Sequence, residues 1–128
     1  MRFQFFIGGY SSGHFEVVLK NDELCFFVSD YPMQIERQEP TQIISIKGDI
    51  EWQNLMKFIA DIKWKRKYES DILDGTQWEL TFKNETKKMN CYGNNAFPAD
   101  FDNFITLLKK ITTKHKIPDE LLEDFRSD

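Results

Sequence analysis

The residues near the N-terminus that could do chemistry are hydroxyl groups and a histidine in one glycine-containing loop. Ser11, Ser12 and His14 lie together in the stretch Gly8–His14. Nucleophilic catalysis needs a serine held against a histidine whose ring an acid orients, and neighbours in one loop rarely reach that geometry. The stretch also leads into a strand pattern and lacks the Gly-Lys-Ser/Thr of a phosphate loop. We interpret it as a hairpin loop, with phosphate binding as the alternative.

Ligands for a soft metal are few and widely spaced. Cys25, Cys91, His14 and His115 are all the cysteines and histidines of the chain. Zinc sites use pairs of such residues separated by roughly two to five positions, and no pair here has that spacing. We therefore predict neither a metal site nor a cofactor, and we expect both thiols to be small buried hydrophobic groups.

A run of bases interleaved with aromatic rings occupies Lys63–Tyr68 and includes Trp64 and Arg66. Such a composition is typical of a patch that binds nucleic acid or an acidic protein. It also follows a predicted helix, whose carbonyl end cations stabilise without any partner. The chain has 17 Lys and Arg against 21 Asp and Glu, a net charge of -4, which argues against nucleic acid.

The most distinctive segment is Tyr92–Pro98, which joins a predicted hairpin to a predicted helix. Its glycine and two asparagines, Asn94 and Asn95, are typical of backbone with positive φ. The structural interpretation is a hydrogen-bonded corner, and the functional one is a polar and aromatic binding loop. Across the chain, the residues that we predict to contribute to binding are Tyr10, His14, Trp64, Arg66, Tyr92, Asn94 and Asn95.

The strands that must position these residues are predicted from two segments of similar sequence. Phe15–Asp22 resembles Trp78–Glu85 at an offset of 63 residues, with alternating apolar positions typical of a half-buried strand. Each segment ends in Lys-Asn-acid, which is turn chemistry, and a second strand follows at Leu24–Ser29 or Lys87–Tyr92. Both pairs are therefore predicted to be antiparallel hairpins.

Two amphipathic helices follow the same logic at an offset of 49 residues, so that Trp52 corresponds to Phe101. Asp49 is a suitable N-cap for the first helix, and Pro98 suits the first turn of the second. A short final helix is expected at Asp119–Phe125. With no boundary signal in residues 1–128, we predict one α+β domain. Its mostly antiparallel sheet of five or six strands, built from two ββα units, is covered on one face by two helices.

Composition limits the class of protein further. Aromatic residues make up 15% of the 128 residues, with 12 Phe, which predicts either a phenylalanine-rich core or an exposed aromatic binding face. No apolar run is long enough for a membrane span, and the N-terminus lacks a signal-peptide pattern. With two separated cysteines, these features favour a cytoplasmic protein with no membrane contact.

One stretch resembles a known group of sequences. The pattern Gly75-x-x-Trp78-x-Leu80, followed by Tyr92-Gly93-x-Asn95-Ala96-Phe97-Pro98-x-x-Phe101, resembles a segment of small uncharacterised bacterial proteins. Those proteins have a Gly-Ser-Asn-Ala-Tyr-Pro-like turn before a helix, where this chain has Asn94 and Phe97. The resemblance covers roughly Asp74–Ile111. It implies a bacterial origin and a structural corner, and it carries over no catalytic residue.

Two functions from different classes remain open. The leading hypothesis is a non-catalytic cytoplasmic module that binds another protein, one version being an immunity-type protein that neutralises a toxin. The alternative is a small-ligand binder or enzyme with a pocket between the sheet and a helix. A cleft lined by Tyr10, His14, Trp78 and Tyr92 favours the alternative, whereas close packing of these aromatic residues favours the protein-binding module.

Overall fold

A computed structural model describes residues 1–9, 13–29, 39–71 and 75–122 of the chain. The two helical segments longer than one turn are α1 (Ile50–Asp61) and α2 (Phe101–Lys114). A short 3-10 helix (Glu120–Leu122) follows α2. The strands in chain order are β1 (Arg2–Gly8), β2 (His14–Lys20), β3 (Glu23–Ser29), β4 (Gln42–Ser45), β5 (Lys67–Glu69), β6 (Gln77–Lys83) and β7 (Lys88–Asn94).

The seven strands within these residues form one sheet in the order β4-β3-β2-β1-β6-β7-β5. All neighbours are antiparallel except β5 and β7, which are parallel. The α+β class and the mostly antiparallel sheet agree with the prediction, but five or six strands is too few. The unpredicted strand is β5, because its three residues lie in a charged run with no apolar alternation.

One face of the sheet, here called the inner face, takes both helices. Its centre is formed by Phe3, Phe5 and Ile7 of β1, which are at most 1% exposed. The ring centroids of Phe3 and Trp52 are 5.3 Å apart, and those of Phe5 and Phe104 are 4.8 Å apart. Because Trp52 belongs to α1 and Phe104 to α2, the predicted packing of two helices on one face is confirmed.

The two predicted hairpins, β2–β3 and β6–β7, lie on opposite sides of β1. Phe15 and Trp78 both pair with Ile7, and Val17 and Leu80 both pair with Phe5. All four of these side chains from β2 and β6 are buried. The offset of 63 residues therefore corresponds to equal positions relative to the central strand and to equal burial.

The hairpins nevertheless cannot be copies of one ββα unit. Strands β2 and β6 point the same way, since both are antiparallel to β1. Seen from the inner face, β3 lies on one side of β2, whereas β7 lies on the opposite side of β6. No rotation superposes two such hairpins with the same residues facing the helices. The prediction of two equivalent units is wrong in this respect, and β4 also interrupts the first one.

Their turns differ as well. Lys20 pairs with Glu23 around a two-residue turn in which Asn21 has φ 58°. Lys83 pairs with Lys88, which leaves a four-residue connection. There the Asn84 side-chain oxygen accepts the backbone N–H groups of Thr86 and Lys87 at 2.9 Å and 2.7 Å. Asparagine thus shapes both turns as predicted, by two different geometries.

Each helix buries the stripe that the sequence predicts. Met56, Phe58 and Leu107 are only half-buried, but four pairs of positions related by the offset of 49 residues are buried in both members. These pairs are Trp52 and Phe101, Leu55 and Phe104, Ile59 and Leu108, and Ile62 and Ile111. Beyond α2, the 3-10 helix occupies part of the predicted final helix, and residues 123–128 lie outside the described residues. Neither α-helix is long and apolar enough to cross a membrane, within the part of the chain that the structure describes.

Asp49 holds the two helices together. Its Oδ1 accepts the backbone N–H of Trp52 at 3.0 Å, which confirms it as the N-cap of α1. Its Oδ2 lies 2.9 Å from His115 Nε2 and 3.3 Å from Lys114 Nζ, at the end of α2. Burial alone raises the pKa of Asp49, but the hydrogen bonds from His115, Trp52 and Lys114 outweigh burial, so the pKa is lower than its ordinary value of 3.8.

The lowered pKa makes Asp49 a source of pH-dependent stability. Its contribution is complete above the unfolded-state pKa and is lost as the pH falls through the lower folded-state pKa. We expect Asp49→Asn, which keeps a cap acceptor but loses the charge, to lower the free energy of unfolding by about 1–2 kcal/mol near neutral pH. In urea unfolding, this difference from the wild type should shrink between about pH 5 and pH 3.

The control is Glu51→Gln, which removes a first-turn charge of α1 that forms no ion pair or hydrogen bond with α2 within the described residues. It should change stability by about 0.5 kcal/mol or less. An Asp49→Asn deficit that stays constant on acidification contradicts the ionic interpretation of this contact.

Candidate functional site

The face of the sheet opposite the helices, here called the outer face, contains a shallow concavity of about 670 Å³. It exists because even-numbered residues of β1 point away from the helices. Within the described residues both α-helices pack on the inner face, and neither covers this concavity. Its lining comprises Gln4, Phe6, Glu16, Gln77, Trp78, Glu79, Tyr92, Gly93 and Asn94.

Aromatic and acidic side chains alternate across the concavity. Phe6 of β1 pairs with Glu16 on one side and with Glu79 on the other. Glu16 in turn pairs with Phe27, and Glu79 pairs with Tyr92. These five residues, on five adjacent strands, are here called the acid–aromatic row. Residues directly opposite across strands are roughly 5 Å apart, so each carboxylate lies between two rings.

The two carboxylates differ in their surroundings. Glu16 is half-buried, and its Oε2 accepts a hydrogen bond from Gln4 Nε2 at 2.9 Å. Glu79 is exposed, and among the described residues no hydrogen bond or ion pair engages its carboxylate. Tyr92 is 38% exposed. The row therefore presents one anchored and one unengaged negative charge beside an accessible phenol ring.

Three of the predicted binding residues do lie on the outer face. His14 pairs with Gly8, and its ring centroid is 6.3 Å from that of Phe6. Tyr92 and Asn94 line the concavity. The side-chain oxygen of Asn94 is buried, and within the described residues it has no hydrogen-bond partner. Tyr10, also predicted, lies outside the described residues.

Trp64 and Arg66 are not brought to this face. The indole N–H of Trp64 donates to Asp100 Oδ1 at 2.6 Å, and its ring packs against Trp78 at 5.6 Å. Tyr68 also packs on Trp78, at 5.9 Å. Both rings of the basic run therefore turn inward, because β5 alternates and α1 ends beside it. The charged residues of the run are exposed and its two rings are half-buried, and binding through Trp64 and Arg66 stays a prediction.

Asn95 belongs to a structural corner, as the structural interpretation predicts. It has φ 51°, and its N–H donates to the carbonyl of Thr76 at 2.6 Å. Close by, the indole N–H of Trp78 donates to the carbonyl of Ala96 at 2.9 Å. The ring of Phe97 then packs on Phe101, with centroids 5.0 Å apart. These bonds fix the path from β7 into α2.

Gly93 has a different role from the predicted one. It pairs with Trp78 in the ordinary extended backbone of β7, and of the three residues 93–95 only Asn95 has positive φ. A side chain at position 93 would overlap the indole of Trp78 and the carbonyl of Ala96. Glycine is required for the close approach of the indole ring and not for the backbone angle.

Neither thiol lines the concavity. Cys25 and Cys91 are free and buried, as predicted. Burial raises the pKa of the Cys91 thiol, which opposes thiolate chemistry, although the charge of Lys87 offsets part of the effect. No group of three or more His, Cys, Asp or Glu side chains that could hold a metal ion occurs among the residues the structure describes.

Sequence reasoning missed Phe6, Glu16, Glu79 and Gln4. A signal was present, because Glu16 and Glu79 correspond at the offset of 63 residues and both point away from the apolar side of their strands. The strand order, which places β1 between β2 and β6, could not be predicted from the sequence. Only that order brings the two glutamates to either side of Phe6.

The chain was compared with protein-family models, with curated proteins and with solved structures, and none of the three comparisons found a match. The resemblance of Asp74–Ile111 to small bacterial proteins therefore stays a prediction.

The close approach of Gly93 and Trp78 gives a stability prediction. We expect Gly93→Ala to lower the free energy of unfolding by about 2–3 kcal/mol, because the added methyl group forces the indole ring out of place. Thermal or urea unfolding measures this loss. Asn90→Ala, at an exposed position of the same strand, should cost about 0.5 kcal/mol or less. Equal losses for the two variants would show that the packing of Gly93 on Trp78 is not tight.

Proposed function

We propose that the chain is a non-catalytic protein-binding module whose acid–aromatic row holds cationic side chains of another protein chain. The observation that carries the proposal is the pairing of Glu16 and Glu79 on either side of Phe6, on a face that no helix of the described residues covers. Toxin neutralisation is the immunity-type version of this function, and it stays a prediction. It requires a partner toxin with a basic surface that the row can bind.

The chemistry of the row favours arginine and lysine. A cation above the face of an aromatic ring is attracted by about 0.5–2 kcal/mol, and a neighbouring carboxylate adds a charge-assisted hydrogen bond. Arginine satisfies both partners at once, because its planar group stacks on a ring while its N–H groups reach a carboxylate. Glu16 and Glu79 lie two strand spacings apart, roughly 10 Å, so two cationic side chains fit without crowding.

The face, more than the edges of the sheet, is suited to a protein partner. The edge strands β4 and β5 pair over only four and three residues, and Lys67 and Glu69 form an ion pair of 2.9 Å on β5. The shortness of both edge strands and the charges of β5 discourage the addition of a further strand. The outer face instead offers a broader surface on which aromatic rings alternate with carboxylates. Aromatic residues are enriched at protein interfaces.

One observation supports a second candidate, a small-ligand binder. The concavity has a volume within the range of ligand pockets, and the buried oxygen of Asn94 is free to accept a hydrogen bond. The predicted location of such a pocket, between the sheet and a helix, is instead filled by the packed rings of Phe5, Phe101 and Phe104. A ligand would therefore bind on the outer face.

The proposed function is tested with a labelled nona-arginine peptide and a matched nona-lysine peptide. In fluorescence polarisation we expect the arginine peptide to bind more tightly and both affinities to fall with added salt. Glu16→Gln/Glu79→Gln should weaken arginine-peptide binding about tenfold or more, the effect of losing roughly 1.4 kcal/mol.

The matched control is Glu51→Gln/Glu85→Gln, which removes the same charge outside the acid–aromatic row, in the first turn of α1 and in the connection between β6 and β7. It should leave the affinity within about twofold of the wild type. If the control variant loses as much affinity as the variant of the row, binding follows net charge and the proposed surface is not the site.

A further inference from the structure

A second charged row crosses the outer face at the other end of the strands. Arg2 pairs with Lys83, and Lys83 pairs with Lys88. All three residues, here called the basic row, are exposed, and within the described residues no ion pair or hydrogen bond engages their charged side-chain groups. Like charges directly opposite across strands destabilise a sheet. Within the described residues, therefore, the three neighbouring cations repel one another and none of them forms an ion pair.

The two rows have opposite charge and a fixed separation. Arg2 and Phe6 are four residues apart on β1, roughly 13 Å along the strand. Halfway between them runs a neutral row that contains Gln4, Thr81 and Asn90. Both charged rows lie on the same face, because even-numbered residues of β1 and the residues that pair with them point the same way.

We propose that the protein chain held by this face is a second copy of the same chain, packed face to face about a two-fold axis. This inference rests on the proposed function and names its partner. The axis lies between the two sheets, perpendicular to the strands, at the level of Gln4. Half a turn about that axis exchanges the ends of the strands, so the basic row of each copy lies over the acid–aromatic row of the other. The contact is self-complementary, as a two-fold interface requires.

The columns of charge also match across this axis. Strand β6 of one copy lies over β6 of the other and runs the opposite way, which brings Glu79 towards the partner's Lys83. Glu16 is one strand, roughly 5 Å, from the partner's Arg2, within the reach of an arginine side chain. Stacked sheets are about 10 Å apart, a gap that the rings of Phe6 and Tyr92 can fill. At the axis, the amides of Gln4 and Asn90 meet their own counterparts, with no charge to bury.

A charge-exchange experiment tests the second-copy partner. Variant A is Glu16→Lys/Glu79→Lys, and variant B is Arg2→Glu/Lys83→Glu/Lys88→Glu. Sedimentation of the full chain should show a species of twice the monomer mass of 15.3 kDa whose fraction rises with concentration. Variants A and B should each be monomeric, because like-charged rows then face each other. An equimolar mixture of A and B should restore the dimer, because both contacts are again between opposite charges.

Variant C, Lys57→Glu/Lys63→Glu/Lys110→Glu, controls for net charge. It has the same net charge as variant B, but its substitutions lie at exposed positions on or beside the helices. It should dimerise like the wild type and should not form a dimer with variant A. A dimer of A with C as strong as that of A with B shows that attraction is non-specific and overturns the proposal.

The remaining outcomes separate this inference from the proposed function. A wild type that is monomeric at about 100 µM yet binds the arginine peptide through the acid–aromatic row overturns the second-copy partner and leaves the proposed function standing. A monomer that does not bind the peptide overturns both. A wild-type dimer that variants A and B leave intact places the interface elsewhere and overturns the face-to-face geometry. Restored dimerisation in the mixture also shows that both variants are folded.

Discussion

The alternation of side chains along β1 is the constraint on which the rest of the structure depends. Each odd-numbered side chain of this central strand points to the helices, and each even-numbered one points away. Phe3 and Phe5 supply the rings on which α1 and α2 rest, while Gln4 and Phe6 are left on the other side. Because β2 and β6 both pair with β1, the same alternation is imposed on both hairpins, and a one-residue slip would exchange the two faces.

This constraint links the core to the candidate site through Trp78. On the inner face its indole packs on Trp64, Tyr68 and Phe101, and its N–H bonds the carbonyl of Ala96. That single side chain therefore fixes β5, the corner after β7 and the start of α2. Its neighbour in sequence, Glu79, points the opposite way into the acid–aromatic row. The position of the carboxylate is thus determined by the packing of the tryptophan behind it, on a rigid element of the kind that holds binding residues well.

Local patterns predicted much of the fold. The alternation in Phe15–Leu19 and Trp78–Phe82, the helical stripe from Trp52 to Ile62 and the N-cap at Asp49 each depend on residues close in sequence, and the structure confirms them. Strand β5 was missed because three residues in a charged run leave no periodic signal. The two hairpins are similar in sequence because the same positions are buried in both, and this similarity suggested a repeat. A local sequence pattern does not show on which side of the first strand the second strand pairs.

The candidate site shows the same division. Tyr92 and Asn94 could be found from their unusual segment, but composition does not show which way the ring of Trp64 points, and its indole N–H donates to Asp100. The sequence around Glu16 and Glu79 is ordinary. The two residues become candidates for a site only because strands distant in sequence pair and place them on either side of Phe6. Sites built across a sheet depend on the order of its strands, and that order is set by the tertiary fold.

The most direct test of the account is hydroxyl-radical footprinting of the chain in dilute solution, read ring by ring by mass spectrometry. The central claim is that one face of β1 is covered by helices and the other is open. We expect Phe6 and Tyr92 to be oxidised readily, and Phe3, Phe5 and Phe101 to be protected until the chain unfolds. At concentrations where sedimentation shows only monomer, protection of Phe6 equal to that of Phe5 would contradict the account, because the outer face would then be covered by the chain itself.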